Sequence, residues 1–422
     1  MLSTGAQVRV TGKGPLMRYQ NIILLALILV SAMTVLLAGP VISFFIPVMH
    51  SELGIPLFYF GVAMSARQLA FAFASPFIGR GIDRFGARPM LLVVSIVAGV
   101  VVFSLSFVES RWHLVLLIGM LGLVGLQGAG GDLYGSVVVA KWFKQNRGRA
   151  MSIIFIGMPL GIFFFTPLTQ YVIAEFGWQF AWQVFGVSGA CLMFLGSVLL
   201  RPAPSEPDSP GIIDAASGAS QQLQSSHQWT RGQAARTSAF WKISISFGIL
   251  MFTISTVAMF RVPHFIDQGL AAEWVAVAFS TEAVISAMVA IPVGLLIDRY
   301  PIRYLTAIGY SFAIVMLLLT IYTDTKIELF IATASFGLGA ASVIIMQNAI
   351  WPAYFGTENI GSVRGLAMPV TLIFATLGAP AAGWIRDTTG SFVPIWWFSI
   401  CAMAISILLI LSAKPPVLSD DN

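Results

Sequence analysis

Twelve apolar stretches, each long enough to cross a bilayer as a helix, fill this chain between residues 21 and 412. They run at 21–49, 56–79, 89–108, 113–140, 150–174, 180–200, 240–264, 274–297, 303–322, 328–353, 365–385 and 393–412. A helix rises about 1.5 Å per residue, so about 20 residues span the hydrocarbon layer. Backbone polar groups have no water to bind there, which restricts such runs to helices. With 57% hydrophobic residues, 10% charged residues and a mean hydropathy of +0.87, the chain has too little polar surface to coat a water-soluble globule. The first 20 residues carry Arg9, Lys13 and Arg18 but no small-residue cleavage site, so the first apolar run is expected to anchor and stay.

Loop charges set the expected orientation, because Lys and Arg are retained on the cytoplasmic side. Most of the 23 basic residues fall on one face; Arg111, Lys326 and Arg386 fall on the other, and Arg67 and Arg261 lie within spans. The net charge of +5 is therefore explained by topology, and scattered loop charges give no nucleic-acid surface. The expected organisation is a cytoplasmic tail at 1–20, a six-helix bundle at 21–200, a cytoplasmic linker at 201–239, a second six-helix bundle at 240–412 and a cytoplasmic tail at 413–422. The linker is rich in Pro, Ser, Ala and Gln and has no apolar period. Cys191 and Cys401, in spans six and twelve, are expected to be small packing residues, neither bridged nor bound to metal. The fold class is all-α membrane protein.

The pattern is written twice. Gly79-Arg80-Gly81-Ile82-Asp83-Arg84-Phe85-Gly86 closes the second apolar stretch, and 215 positions later Gly294-Leu295-Leu296-Ile297-Asp298-Arg299-Tyr300 closes the eighth. At the same offset Glu52 and Gly54 align with Asp267 and Gly269. At an offset of 217, Arg147-Gly148-Arg149-Ala150-Met151 aligns with Arg364-Gly365-Leu366-Ala367-Met368. A chain built twice from one set of spans points to two half-bundles around a central path for a solute.

On these residues the chain resembles the major facilitator superfamily over nearly its whole length. The loop between spans two and three matches that family's pattern through Gly79, Asp83, Arg84, Gly86 and Arg88. Lys141-Trp142-Phe143, followed by Arg147-Gly148 and Ala150-Met151, is similar to its monocarboxylate and oxalate/formate porter branch. The resemblance implies two six-helix bundles that rock about a midplane site and move one solute, alone or with an ion. It also implies a latch, in which Asp83 at the end of span two meets the positive N-terminal end of span eleven near Arg364 to Ala367. By repeat symmetry Asp298, beside Arg299, is expected to meet the start of span five near Arg149. Gly79, Asp83, Arg84, Gly86, Arg88, Asp298, Arg299 and Arg364 are thus the candidate latch residues; an ordinary solvated loop is the competing reading.

Ionisable groups deep in the spans carry the functional information, since each costs at least about 2.5–3.5 kcal/mol in hydrocarbon and normally faces a cavity or a partner. Three qualify on depth: Arg67, Asp132 and Glu282. Arg67 lies 12 residues before Gly79 and Glu282 lies 12 before Gly294, which makes them repeat mates of opposite sign. Both sit about 18 Å from that boundary at 1.5 Å per residue. Asp132 lies at a depth from which Arg67 can reach it. If these two pair, Glu282 has no cation at its depth and becomes the proton-coupling candidate, with Asp132 the second. Arg67 then becomes the anchor for an anionic solute. The architectural alternative is a permanent Arg67–Asp132 bridge, with Glu282 satisfied by Gln347 or Asn348.

Gln68, Gln127, Tyr134, Gln347 and Asn348 are the neutral polar residues near the presumed cavity. Spans four and ten line the path in the resembled family, so Tyr134, Gln347 and Asn348 are candidate substrate-binding residues alongside Arg67; each could equally satisfy a neighbouring helix. Arg261 and His264 flank Pro263 near the outer end of span seven and are expected to snorkel to the interface. Animal monocarboxylate porters carry a Lys in span one and an Asp with an Arg four residues on in span eight. Here span one is uncharged and Ala287 and Ile291 stand at those span-eight positions. The cations that oxalate/formate exchangers use in spans eight and eleven are also absent, which favours a monoanion or a largely neutral solute.

The chain is therefore expected to be a secondary active transporter of a small organic solute, a monocarboxylate first, working by alternating access with proton symport. One competing reading is a proton-driven exporter of drugs or metabolites, for which Gly157-Met158-Pro159-Leu160-Gly161 supplies a fragment of the expected Gly-rich pattern. The other is a non-transporting sensor of the same fold, for which the linker supplies no output domain. No catalytic residue, metal or cofactor is expected, since His50, His113, His227 and His264 are dispersed. The expected partners are the solute, protons and the lipid bilayer. A monomer in a bacterial inner membrane with both termini cytoplasmic completes the expectation.

Overall fold

The computed structural model describes residues 15–38, 41–126, 133–143, 147–200, 229–297, 299–356 and 359–416. The elements of the first half are α1 (Pro15–Ala38), α2 (Ile42–Leu53), α3 (Leu57–Phe85), α4 (Ala87–Ser104), α5 (Arg111–Leu123), α6 (Leu133–Trp142), α7 (Arg147–Phe155) and α8 (Gly157–Leu199). Those of the second half are α9 (Arg231–Arg236), α10 (Ser238–Asp267), α11 (Ala272–Ile297), α12 (Ile302–Ile321), α13 (Lys326–Phe355), α14 (Ile360–Thr389) and α15 (Val393–Ser412). Span one comprises α1 and α2, spans two and three are α3 and α4, and span four is divided between α5 and α6. Span five is α7 with the start of α8, and span six is the rest of α8. Spans seven to twelve are α10 to α15, so the count is twelve in two sets of six.

Local chemistry explains the punctuation. Gly177 at φ 83° breaks the 43-residue run of α8 into two crossings, a conformation that costs glycine nothing. Gly54 and Gly269, repeat mates in the sequence, both turn with positive φ, 63° and 85°, at the same corner of their halves. Thr325 with Glu328 and Thr230 with Gln233 form capping boxes at the starts of α13 and α9.

Aromatic contacts pack the helices within each half, and one buried cluster continues from one half into the other. Phe45 of α2 stacks on Trp182 of α8 with ring centroids 3.7 Å apart, and Phe247 of α10 meets Tyr310 of α12 edge to face at 6.3 Å. The halves meet through α3 with α14, α8 with α11, and α2 with α10. Large apolar side chains such as Leu25, Phe73, Val93, Leu116, Ile327 and Leu408 are exposed on the surface, as lipid-facing residues are.

Three expectations are corrected. Span four is interrupted, because α5 stops at Leu123 and Gly125 takes φ 78°. The sequence from Gly122 to Gly131 holds five glycines, which weaken a helix by about 1 kcal/mol each relative to alanine. Gln127 and Asp132 lie outside the described residues. The linker ends earlier than residue 239: Trp229 is buried, its indole lies edge to face with Phe355 at 6.1 Å, and α9 follows directly. Cys191 and Cys401 are free and exposed, not packed in the core.

Candidate functional site

Arg67 lies on α3 and is buried, with 6% of its surface exposed. Its Nη2 donates to the backbone carbonyl of Leu126 at 3.1 Å, just past the break in span four. Tyr134, on the far side of that break, donates its hydroxyl to the carbonyl of Val124 at 3.1 Å. A broken helix frees carbonyls that need donors, and these two side chains supply them. Arg67 Nε is buried without a hydrogen-bond partner. Among the described residues Arg67 has no carboxylate partner, and Asp132 stands outside them.

Glu282 on α11 was expected to lack a cation and has one. Arg261 of α10 donates Nη2 to its Oε2 in a buried ion pair, with the Arg261 side chain 2% exposed and that of Glu282 14%. The guanidinium lies between two rings, 4.4 Å from the centroid of Phe279 and 4.3 Å from that of Phe336. Ring faces are negative and stabilise a cation removed from water. Arg261 therefore does not snorkel. His264, expected to do the same, is buried and bonds through Nε2 to the Thr320 carbonyl at 3.0 Å. Neither Gln347 nor Asn348 satisfies Glu282. Arg261 Nε and Nη1 are buried without partners, so the guanidinium keeps unused donors beside the carboxylate.

The two charged positions sit in equivalent packing. A methyl group built on Gly122 of α5 would lie 2.1 Å from the Arg67 carbonyl oxygen, and one on Gly337 of α13 would lie 2.8 Å from that of Glu282. Gly122 and Gly337 are themselves 215 apart, like Arg67 and Glu282. Each half thus presses a glycine of its fourth span onto the backbone of its charged residue, which fixes both side chains at one depth.

Just beyond these charges the halves touch. Ser65 donates to the Thr376 carbonyl across the seam, and to Gly61 of its own helix at 3.2 Å. Its repeat mate Ser280 donates to the Phe163 carbonyl across the seam at 2.9 Å, and to Ala276 at 3.2 Å. Thr166 meets Ser280 at 3.1 Å, and Phe44 meets Phe279 edge to face at 5.7 Å. The molecule is closed at the end away from the Asp83 loop.

At the other end the expected latch residues stand apart. Asp83 and Arg84 are exposed, Gly79, Gly86 and Arg88 are partly exposed, and no ion pair joins Asp83 to another described residue. Arg84 lies over its neighbour Phe85 at 5.2 Å. Arg364 donates to Asn348 Oδ1 at 3.0 Å, which ties one latch candidate to one substrate-binding candidate. Gln347 is half-buried on α13, Arg299 is exposed, and Asp298 lies outside the described residues. The sequence placed Arg261 at the interface and missed its pairing with Glu282; the signal was an arginine 21 residues before Glu282 on the adjacent span, close enough in depth to pair.

Two half-sites with a buried guanidinium each, one of them paired with a carboxylate, place unused guanidinium donors and a protonatable group at one depth. A family model described as Major Facilitator Superfamily matches residues 24–372. Monocarboxylate transporter 13 of Bos taurus is 26% identical over 326 residues, covering 76% of this chain and 72% of its own length. Monocarboxylate transporter 12 of Rattus norvegicus is 24% identical over 331 residues, covering 73% and 68%. Among solved structures, a bacterial homologue of the human lysosomal transporter Spinster, in an inward-facing and occupied conformation, matches with a TM-score of 0.69 at 14% identity over 95% of this chain and 96% of that one. A variant of the nucleoside transporter NupG matches with a TM-score of 0.71 at 15% identity over 93% and 99%.

Proposed function

The chain belongs to the Major Facilitator Superfamily, a family of membrane transporters and not of enzymes, and from that premise we propose that it carries a small monocarboxylate together with a proton by alternating access. The observation that carries this reading is the buried Arg261–Glu282 pair, set at the depth of Arg67 beside the seam between the halves. Removing one partner of a buried pair leaves an uncompensated charge, so the exchange must conserve charge. When a proton neutralises Glu282, Arg261 is left with a single positive charge that a substrate carboxylate can balance. One proton and one monoanion then travel together with no net charge moved. The two relatives in Bos taurus and Rattus norvegicus, both named as monocarboxylate transporters, support that solute class.

Arg67 is the second anchor of the anion in this reading, with its unpartnered Nε as donor. Gln347 is a neutral contact, Tyr134 and Asn348 hold the backbone and Arg364 around the path, and Asp132 is a second proton site. Asp83, with Arg84 and Arg88, its repeat mates Asp298 and Arg299, and Arg364 at the start of α14, closes the latch end when the opposite end opens. In this reading the Asp83 loop faces the cytoplasm, and the end held together by Ser65 and Ser280 is the outer one.

Uptake into proteoliposomes tests this directly, using a panel of labelled small carboxylates with and without an imposed pH gradient. Accumulation of a monoanion driven by external acid is expected; Arg67→Gln abolishes it, and Glu282→Gln leaves exchange while removing the pH dependence. Uptake by Glu282→Gln that still follows the gradient would reject the coupling role.

A further inference from the structure

The contact between α3 and α14 holds a second latch at the end opposite Asp83. The two helices run antiparallel and touch backbone to backbone at Gly61 with Ala379 and at Gly383 with Leu57. Beyond that contact, Asp387 in the last turn of α14 reaches the first turn of α3. The Leu57 N–H donates to its Oδ1 at 3.0 Å and the Phe58 N–H to its Oδ2 at 2.8 Å. Helix α3 has no cap of its own, because Pro56 precedes it and its first turn holds no acidic residue. Asp387 therefore supplies from the other half the acceptors that a helix N-terminus needs.

Its place on its own helix is otherwise unfavourable. A carboxylate in the last turn sits at the negative end of the dipole. Asp387 is two residues from the end of α14, and Asp83 is two residues from the end of α3. The N-terminus of α14 mirrors that of α3, since Asn359 makes no side-chain cap and no acidic residue occupies its first turn. Asn359 instead donates its side chain to the Trp229 carbonyl at 3.3 Å. Each helix thus lacks a cap and carries, at its far end, a carboxylate suited to the other's N-terminus. Arg386 fixes the last turn of α14 to its own half through Asp267, with Nε and Nη2 both 3.0 Å from Oδ2, so Asp387 stays on that half when the seam parts. The position in span five related by the 217 offset is the uncharged Gln170, so this device is single.

We infer that Asp387 on the α3 N-terminus holds one end shut and forms a two-position toggle with the Asp83 latch on the α14 N-terminus that the family resemblance implies. This rests on the reading of the protein as an alternating-access transporter. The two contacts are alternatives: the first is made here, and Asp83 is exposed.

Pulsed-EPR distances in nanodiscs test the toggle, in full-length protein with Cys191 and Cys401 changed to alanine. Exposed repeat-mate positions carry the labels: Glu109→Cys with Asp324→Cys for the closed end, and Phe85→Cys with Tyr300→Cys for the latch end. Asp387→Ala is expected to raise the ratio of 109–324 open to closed populations about fivefold to thirtyfold, the range for one lost cap. Asp83→Ala shifts the ratio the opposite way, and Asp387→Glu stays near the parent. Asp387→Asn, which keeps an oxygen acceptor and drops the charge, gives an intermediate ratio and serves if Asp387→Ala yields no folded protein. Two populations whose ratio ignores Asp387 would overturn the toggle alone. One fixed distance at each pair, in every variant and at every pH, would remove the alternation itself and the toggle with it.

Discussion

Arg261 shows how much a buried charge depends on what surrounds it. Its guanidinium is held by one carboxylate and two ring faces, and its Nε and Nη1 have no partner. Removing one member of such a pair costs about 3–5 kcal/mol, whereas removing both is close to neutral. Arg261→Gln and Glu282→Gln are each expected to lower the thermal midpoint of the purified protein and to impair uptake. The double variant should regain most of the midpoint and none of the coupled uptake. A midpoint that falls additively in the double variant would show that the two groups do not depend on each other. The sequence marked Glu282 by its depth and sign, and repeat symmetry paired it with Arg67. It left Arg261 near a helix end because a sequence position gives depth and not azimuth; the rotation of α10 that turns this side chain inward is a packing outcome.

Among the elements, span four departs furthest from its sequence reading. Hydropathy runs unbroken from 113 to 140, so the stretch reads as a single crossing, yet the glycine content between 122 and 131 already weakened it. Once the helix opens, Val124 and Leu126 need donors, and Tyr134 and Arg67 provide them. Tyr134→Phe leaves the Val124 carbonyl unpaired and is expected to lower stability by about 1–3 kcal/mol, read in thermal unfolding. Gly122→Val and Gly337→Val force helices apart where a methyl already meets backbone at 2.1 and 2.8 Å. Each should cost about 1–3 kcal/mol or more, with the larger loss at Gly122. Equal tolerance at both would mean that the charged residues are not held at a common depth. The spans themselves were readable because apolar length alone dictates them, and so was the repeat, because a doubled loop motif survives substitution. The end of the linker was not, because a short capped helix such as α9 depends on Trp229 finding Phe355 in another part of the chain.

At the scale of the whole molecule, two halves meet along α3–α14, α8–α11 and α2–α10, and one apolar cluster, including Phe44, Phe60, Phe260 and Phe279, runs across the joint. The seam is made of serine hydroxyls, backbone carbonyls and a ring contact, with a carboxylate cap at its edge. Such a joint survives cutting of the connection between the halves. Fragments 1–214 and 215–422, expressed together, are expected to copurify and to restore coupled uptake, and fragments that never associate would deny that the seam holds the halves. Phe279 has one further consequence. Arg261 lies over its face and Phe44 of the opposite half meets it in a T-shaped contact, so the ring is shared by the charge and by the joint. On the proposed reading, a guest that draws the guanidinium aside also tilts that ring, and the girth of its carbon tail is expected to govern turnover: slender acids let the carrier swing freely, while bulky ones seize it like grit in a hinge.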